Sequence, residues 1–236
     1  MSFRPRLWPT LFTIPALALL LALGTWQVQR LQWKTALIDK LQARSEMPAA
    51  PLPPRLDDPE AYEYRRVGVT GRFLHDRELH MVNRSLNGNP GLHILTPLER
   101  ADGAGYVLIN RGWVPFERED PQKRPEGQVE GTVTVEGILR LAKGPGWMTP
   151  DNAPATNVWF YVEPAAMAKA AGVDSLPAFE IMSGDRSVPG GFPIGHQWRV
   201  NLRNDHLQYA LTWYSLAAAL LVIYVLSQRR REDGSE

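Results

Sequence analysis

The chain has 236 residues, a formal net charge of +1 and no cysteine. The near-neutral charge argues against nucleic-acid binding, because such proteins need a basic excess to displace counterions from phosphates. The lack of cysteine excludes disulfides, thiolate metal sites and cysteine nucleophiles. The length leaves room for one globular domain besides any membrane segments.

Residues 1–6 form a short tail with two arginines, and the following run from Leu7 to Trp26 carries no charge. About 20 apolar residues in a helix span roughly 30 Å, the thickness of the hydrocarbon layer of a bilayer. The run therefore predicts a first transmembrane helix over 7–26. A cleaved signal peptide is the alternative, because Arg4 and Arg6 precede the run and small residues lie near its end.

A second uncharged run predicts another transmembrane helix over 206–227, and the tail 228–236 begins with three arginines. Basic residues resist translocation, so this tail is expected in the cytoplasm, or in the matrix of a mitochondrion. Two spans place both termini on that side and the middle of the chain on the other. The first residues include no Arg- and Ser-rich targeting stretch, which favours a bacterial inner membrane over a mitochondrial one.

The pattern over residues 27–60 predicts that the first helix continues beyond the membrane (a helical exit) and is followed by a proline-rich linker. The pattern over residues 61–202 predicts an extracytoplasmic β-rich domain. A helix is expected over Pro164–Ala171, since proline opens it and Gly172 follows it. Strand patterns recur at Tyr62–Phe73, Glu78–Asn83, Leu92–Pro97, Tyr106–Asn110, Trp113–Phe116, Thr132–Arg140 and Phe179–Met182. The expected fold is a membrane protein in which two transmembrane α-helices flank a mainly antiparallel β (α+β) extramembrane domain.

With no cysteine present, the five histidines are the candidates for binding a metal or haem. His75 and His80 are five residues apart, which in a strand places them on opposite faces and implies no shared site. His93 follows a turn and is expected to be structural. His196 lies before Trp198 in a glycine-rich loop and could be an interface residue. The pattern leaves the roles of these four histidines open.

His206 differs from the others because it opens the second apolar run. Asp205 and Gln208 resemble a capping box, which makes His206 the first helical residue, and a helix N-terminus favours the neutral imidazole that can bind a metal. Tyr209 and Trp213 follow at helical spacings and would form an aromatic wall. This pattern suits a flat, apolar, iron-bearing ligand such as haem. The alternative is an interfacial histidine that bonds to lipid headgroups or to the domain.

Motifs typical of enzymes are missing from the sequence. It contains no Gly-x-Ser-x-Gly elbow, no His-Glu-x-x-His, no phosphate-binding glycine loop and no dinucleotide fingerprint. We therefore expect that the protein is not an enzyme.

Three segments resemble motifs of the surfeit locus protein 1 family. Gly24–Lys34 resembles its first-helix exit motif, Val107–Pro115 its central motif, and His206–Tyr214 its second-helix motif. The family often has two asparagines before the histidine, where this chain has Asn204 and Asp205. The candidate structural or partner-binding residues on these motifs and in the first hairpin are Trp26, Gln27, Arg30, Gly71, Arg111, Gly112 and Trp113.

The resemblance implies an assembly factor for haem-copper cytochrome c oxidase that assists delivery or insertion of haem a into the catalytic subunit. It implies transient binding of haem a, with His206 as the axial iron ligand beside Tyr209 and Trp213. The expected partners are the oxidase catalytic subunit, haem a synthase and membrane lipid. The alternative is a scaffold that steadies an oxidase subunit and never touches haem.

Overall fold

A computed structural model describes residues 6–184, 188–198 and 203–228 of the chain. Residues 229–236 of the predicted basic tail, residues 1–5 of the first tail, and residues 185–187 and 199–202 of the predicted β-rich domain lie outside these ranges. The helices are α1 (Leu7–Glu46), α2 (Pro59–Tyr62), α3 (Pro164–Ala171) and α4 (His206–Gln228). The strands are β1 (Ala50–Pro51), β2 (Arg66–Phe73), β3 (Leu79–Leu86), β4 (Asn89–Arg100), β5 (Tyr106–Pro115), β6 (Thr132–Leu141), β7 (Val158–Trp159) and β8 (Phe179–Ser183).

The two long helices, α1 and α4, are long and apolar enough to cross a membrane. In the most apolar 18-residue stretch of each helix, only 6% (α1) and 11% (α4) of the residues are buried. Their side chains therefore face outward, unlike those of a core helix in a soluble protein. α1 continues for 40 residues, so the predicted span and the predicted helical exit form one helix. The expected arrangement of two membrane helices flanking a mainly antiparallel β domain is confirmed.

The chain forms two compact units, one with the two long helices and one comprising residues 41–200. Within the first unit, α1 and α4 run antiparallel. The backbone N–H of Arg6 donates to Gln228 Oε1 (2.8 Å), whereas Asn204 Nδ2 near the start of α4 donates to Thr35 Oγ1 (3.3 Å). The start of α1 therefore lies beside the last turn of α4.

The second unit is built on one eight-stranded sheet in the order β1-β2-β6-β8-β5-β4-β3-β7, and an additional pairing joins β2 to β4. That pairing makes β2, β6, β8, β5 and β4 a closed ring of hydrogen-bonded strands. Closing a sheet removes the exposed edges at which strands aggregate. Strands β3 and β7 extend the sheet beyond β4, and β1 extends it beyond β2.

Successive residues of a strand face opposite sides, so the apolar core of the described residues divides into separate clusters: two large ones and a smaller one of Leu92, Ile94 and Val114. On β5, Val107 and Ile109 join the cluster that includes Val67, Leu139 and Ile181. Leu108, between them, joins the cluster formed under α3, which includes Leu79, Leu95, Trp159 and Met167. β5 is therefore a central strand with a buried apolar surface on both sides.

Two sequence expectations need correction. The proline-rich stretch does not simply lead away as a linker, because Ala50 pairs with Val67 in parallel and Leu52 is buried in the core. The two strands expected on either side of residues 110–113 are one strand, β5. Its pairing with β4 shifts register between Ile94 and Leu95, so the polar residues form an irregularity within the strand rather than a break.

Candidate functional site in the helix pair

His206 is the first residue of α4, and it is held by a residue of α1. Its Nδ1 lies 2.6 Å from Oε1 of Gln27, a side chain that is only 9% exposed. Because a carbonyl oxygen can only accept, Nδ1 must donate the hydrogen. In the neutral ring, Nε2 then keeps its lone pair, and among the described residues it has no hydrogen-bond partner. Such an imidazole is prepared to bind a metal through Nε2.

Aromatic and small residues surround His206 unevenly. The ring of Trp26 approaches it edge-on, with centroids 6.5 Å apart and planes at 84°. Ala210, one turn along α4, is buried. Tyr209 is 52% exposed, and Trp213 has a buried Nε1 without a hydrogen-bond partner among the described residues. Among the described residues, no side-chain hydrogen bond or ring contact joins Tyr209 or Trp213 to His206, so a ligand role for them remains a prediction.

A close approach of the two helices lies next to this histidine. A Cβ atom that replaced a hydrogen of Gly24 would lie 2.7 Å from Cε1 of Tyr214. The neighbouring Thr25 Oγ1 lies 3.2 Å from the Tyr214 hydroxyl. A larger residue at position 24 would therefore push the Tyr214 ring away, so glycine allows the aromatic ring of α4 to rest closely on α1.

Arg30, also predicted as a candidate, does not join this site. Its guanidinium lies 4.6 Å from the ring centroid of Trp33, and both side chains face outward. A cation over an exposed indole is an arrangement that suits the membrane interface.

The remaining candidates lie in the β domain, where they shape the backbone. Gly71 is at the ring closure, paired with Arg100, and a Cβ there would lie 2.2 Å from the carbonyl oxygen of Glu99. Gly112 has φ +115°, and its Cβ would lie 1.9 Å from the carbonyl oxygen of Ile194. No side chain fits at either position without moving backbone, so both glycines are structural.

Trp113 and Arg111 are both buried next to Gly112. The backbone of Trp113 pairs with Ile194 in both directions (2.9 and 2.8 Å). Arg111 donates to the carbonyl oxygen of Gly127 and to His75 Nδ1 (3.3 Å), and its guanidinium lies over the ring of Phe73. Burial lowers the pKa of Arg111 to about 10, and the positive charge of Arg124 adds to the shift. Arg111 thus joins segments of the domain to one another.

A second buried charge network explains His80. Arg124 is ion-paired with Glu78, whose carboxylate also lies 3.1 Å from His80 Nε2. His80 Nδ1 is 3.1 Å from Glu119. Nearby, burial lowers the pKa of His75, whose Nε2 bonds to the carbonyl oxygen of Val129. Because both nitrogens of each ring are engaged, His75 and His80 are structural rather than free ligands.

Among residues 6–184, 188–198 and 203–228, no three His, Asp or Glu side chains are grouped so that they could hold a metal ion. A metal at His206 would therefore need to bring most of its ligands with it. An iron porphyrin does so, since the macrocycle supplies four equatorial nitrogens and leaves an axial position for one imidazole. The free Nε2 of His206 fits that requirement.

Sequence reasoning identified His206 and Gln27 but did not connect them. They are 179 residues apart in the chain, and their contact depends on the antiparallel pairing of α1 and α4. Their positions in the sequence could have suggested the contact. Gln27 directly follows the first apolar run and His206 opens the second, so in two antiparallel spans both lie at the same membrane surface, where a buried polar group needs a partner.

Comparisons with known proteins identify the family to which the chain is similar. A model of the SURF1 family matches residues 14–218, which include both halves of the Gln27–His206 contact. Surfeit locus protein 1 of Mus musculus is 40% identical over 235 residues, which cover 94% of this chain and 75% of the mouse protein. The Homo sapiens protein of the same name is 39% identical over 239 residues, 95% of this chain and 78% of its own. A SURF1-like protein of Monosiga brevicollis is 37% identical over 97% of this chain and 90% of its own length.

Proposed function

This chain belongs to the SURF1 family, and we propose that it is an assembly factor for haem-copper cytochrome c oxidase that holds haem a on its way to the catalytic subunit. The observation that carries the proposal is the bond between Gln27 and His206. It orients the ring, and its Nε2, which has no hydrogen-bond partner among the described residues, is the atom that would hold the haem iron at the start of a membrane helix.

The chain's own residues suit transient holding. Neither long helix contains a second histidine, so His206 alone would hold the iron, and a single such bond would favour release. Gln27 would fix the orientation of the ring through the Nδ1 hydrogen bond. When bound, haem a would supply its redox-active iron to the oxidase, and this protein would supply binding, orientation and release.

The exposed Trp26 and the outer surfaces of the helices offer apolar area to a porphyrin or to a membrane-embedded partner. The partners we propose are the catalytic subunit of the oxidase and haem a synthase, both reached within the bilayer. The second candidate function is a scaffold that binds the oxidase subunit without haem. It assigns Gln27 and His206 only to helix pairing, and the experiment below separates the two functions.

The protein is a membrane protein with two candidate spans. We propose that both termini lie on the cytoplasmic side of a bacterial inner membrane, or on the matrix side in a mitochondrion. The antiparallel pairing of α1 and α4 supports a common side for the termini. A reporter active only outside the cytoplasm is expected to work at Gly103, where the surrounding space is open, and to fail after Arg231. The reverse pattern would contradict the topology.

The test of haem binding uses the full chain purified from cells that make haem a. His206→Ala removes the ligand and should leave a folded, inserted protein with little or no haem, since one polar residue contributes little to insertion of about 20 apolar residues. Gln27→Leu should lower haem affinity by about 10- to 100-fold, the usual effect of losing a partner of a ligating histidine. Trp213→Phe should lower it less, because the wall stays apolar.

Gln29→Leu is the matched control, since Gln29 lies on the same helix with an exposed side chain. It should keep the haem content of the wild type. The absorption spectrum and haem content per protein are measured together with protein abundance and oxidase activity of the cells. Unchanged haem in folded His206→Ala protein would refute the ligand role and favour the scaffold.

A further inference from the structure

The β domain contains a cavity of about 400 Å³ that the haem proposal does not use. It lies where β3, β4, β5, β6 and β8 present polar side chains next to apolar ones. Its lining includes three cations, Arg84, Arg140 and Lys143, and one carboxylate, Glu180. Its volume falls within the range of about 300–1,000 Å³ that is usual for small-molecule sites.

Arg84 has unused hydrogen-bond donors. It is half-buried, and burial lowers its pKa, with the charge of Glu180 acting in the opposite direction. Among the described residues, the Arg84 side chain donates one hydrogen bond, from Nη2 to the sulfur of Met81 (2.8 Å). A guanidinium has five N–H donors, and a thioether is a weak acceptor, so most of its donors remain for a ligand. Binding an anion would stabilise a half-buried guanidinium whose N–H donors lack acceptors.

The two other cations are already partly satisfied. Arg140 Nε lies 3.3 Å from Glu63, and its guanidinium is 4.2 Å from the ring centroid of Tyr64. Lys143 Nζ lies 3.8 Å from the same Glu63 carboxylate and is 69% exposed. They add positive potential to the cavity, whereas Arg84 is the cation that lacks an oxygen acceptor among the described residues.

A hydrogen-bond chain fixes a further donor on the cavity lining. Asn110 Oδ1 accepts from the backbone N–H of Gly112 (3.2 Å), so its Nδ2 donates to His93 Nδ1 (3.3 Å) and to Glu180 Oε2 (3.1 Å). Because Nδ1 of His93 accepts, the ring proton is on Nε2. Burial and the charge of Arg84 lower the pKa of His93 to about 3, so the ring is a neutral donor at physiological pH.

The charge balance favours an anion. The lining carries three cations and the single carboxylate of Glu180, and burial raises the pKa of Glu180, so its charged form is disfavoured. The rest of the lining is largely apolar and includes Met81, Leu141, Phe160, Val162 and Met182. A ligand that matches both parts needs an anionic head with planar acceptor geometry and an apolar body.

We propose that this cavity binds an amphiphilic carboxylate, with Arg84 as its anchor and His93 Nε2 as a neutral hydrogen-bond donor. The carboxylate head pairs with the guanidinium, and the apolar body lies against the methionines and aromatic rings. A free fatty acid and a propionate group on a porphyrin share this chemistry. The site is independent of His206, so it can exist whether or not the helix pair binds haem.

The test is titration calorimetry of the full chain in lipid nanodiscs with hexanoate, after subtraction of empty nanodiscs. Hexanoate should bind, and hexanol and hexylamine, which match its length but lack the carboxylate, should not. Arg84→Gln should weaken hexanoate binding at least tenfold. Lys143→Gln should weaken it two- to threefold without affecting folding, since that side chain is largely exposed.

Arg72→Gln is the matched control, because Arg72 pairs with Glu99 on the surface and does not line the cavity. It should bind hexanoate as the wild type does. Displacement of hexanoate by dodecanoate identifies a fatty acid as the source, and displacement by metal-free protoporphyrin identifies a propionate. The proposal is overturned if hexanoate does not bind to the wild type, if Arg84→Gln binds hexanoate unchanged, or if hexanol binds equally well.

Discussion

The helix pair and the β domain are held together by different forces. α1 and α4, together with the residues just before them, are joined by hydrogen bonds spaced along the length of the pair. These contacts are Arg6–Gln228, Thr10–Tyr224, Thr25–Tyr214, Gln27–His206 and Thr35–Asn204. The β domain instead buries apolar side chains in two large clusters and a smaller one around a closed ring of strands.

The surrounding solvent explains the difference. In water, burial of apolar area drives folding, so the domain is stabilised by its core. In lipid, apolar side chains gain little from leaving the tails, and helices associate through close packing of small residues and through polar contacts. Gly24 supplies the close packing and the five hydrogen bonds supply the polar contacts. His206 is thus both part of the helix pairing and the candidate ligand.

The largest expected effect is in the domain, where a wrong residue cannot be accommodated. Gly112→Glu places a side chain in the backbone of Ile194 and a charge in a buried site, at a φ that favours glycine. We expect the domain not to fold, as measured by protease resistance and protein abundance. Gly103→Glu is the control, since Gly103 also has a positive φ but no atom within 4 Å of its Cβ. Equal protease resistance of the two variants would contradict the structure at Gly112.

The next effect tests the ring closure. In Gly71→Ala, the added methyl group meets the carbonyl oxygen of Glu99 and the side chain of Leu98, and overpacking of this kind costs about 2–3 kcal/mol. Gly68→Ala lies on the same strand, and its Cβ would have as its neighbour Glu136 Cγ at 3.9 Å. We expect a lower thermal midpoint for Gly71→Ala and an unchanged or higher one for Gly68→Ala. Equal midpoints would show that β2 and β4 do not approach each other closely there.

A moderate effect is expected from pH, through His93. Its pKa is lowered to about 3 by burial and by Arg84, against about 6.5 in the unfolded chain. Its contribution to stability is therefore fully present above pH 6.5 and falls by about 1.4 kcal/mol per pH unit between pH 6.5 and 3. Glu180 acts in the opposite direction, because its raised pKa favours the folded state when it is protonated.

The measurement is the pH dependence of the thermal midpoint of the full chain, compared with that of His93→Gln. Glutamine keeps an acceptor for Asn110 but does not titrate, so the variant should lose stability less steeply from pH 6.5 to 4.5. The slope is the readout, since the substitution lowers stability at every pH. Parallel curves would indicate that His93 is not buried as a neutral ring.

The smallest expected effect is in the helix pair. Thr25→Val removes the hydroxyl that lies 3.2 Å from Tyr214 while keeping the shape of the side chain. Hydrogen bonds between membrane helices contribute about 0.6 kcal/mol on average, because the unfolded chain in lipid finds other partners. A double-mutant cycle with Tyr214→Phe, measured by unfolding in mixed micelles, should give a coupling free energy of this order. A coupling free energy of zero would show that the Thr25–Tyr214 hydrogen bond does not stabilise the helix pair. The pair would then depend on close packing at Gly24 and on the other contacts.

Sequence reasoning predicted those features that depend on local pattern. The two spans follow from the length and uniform apolarity of the runs at Leu7 and Leu207, and α3 occupies the residues predicted from its proline and glycine. Most strands were found because alternation and β-branched residues mark a half-buried extended chain. The family resemblance, carried by three motifs, is confirmed by the match over residues 14–218.

The features that depend on distant residues meeting in space came only from the tertiary structure. Local pattern cannot show that Gln27 orients His206, that Gly71 closes the ring against Glu99, or that β1 adds to the sheet. The cavity is a further case, since Arg84, His93 and Glu180 lie on three strands and look like ordinary strand residues in the sequence. Periodicity determines which side of an element is buried, but register and ring closure determine which buried groups become partners, and both are decided by packing across the whole fold.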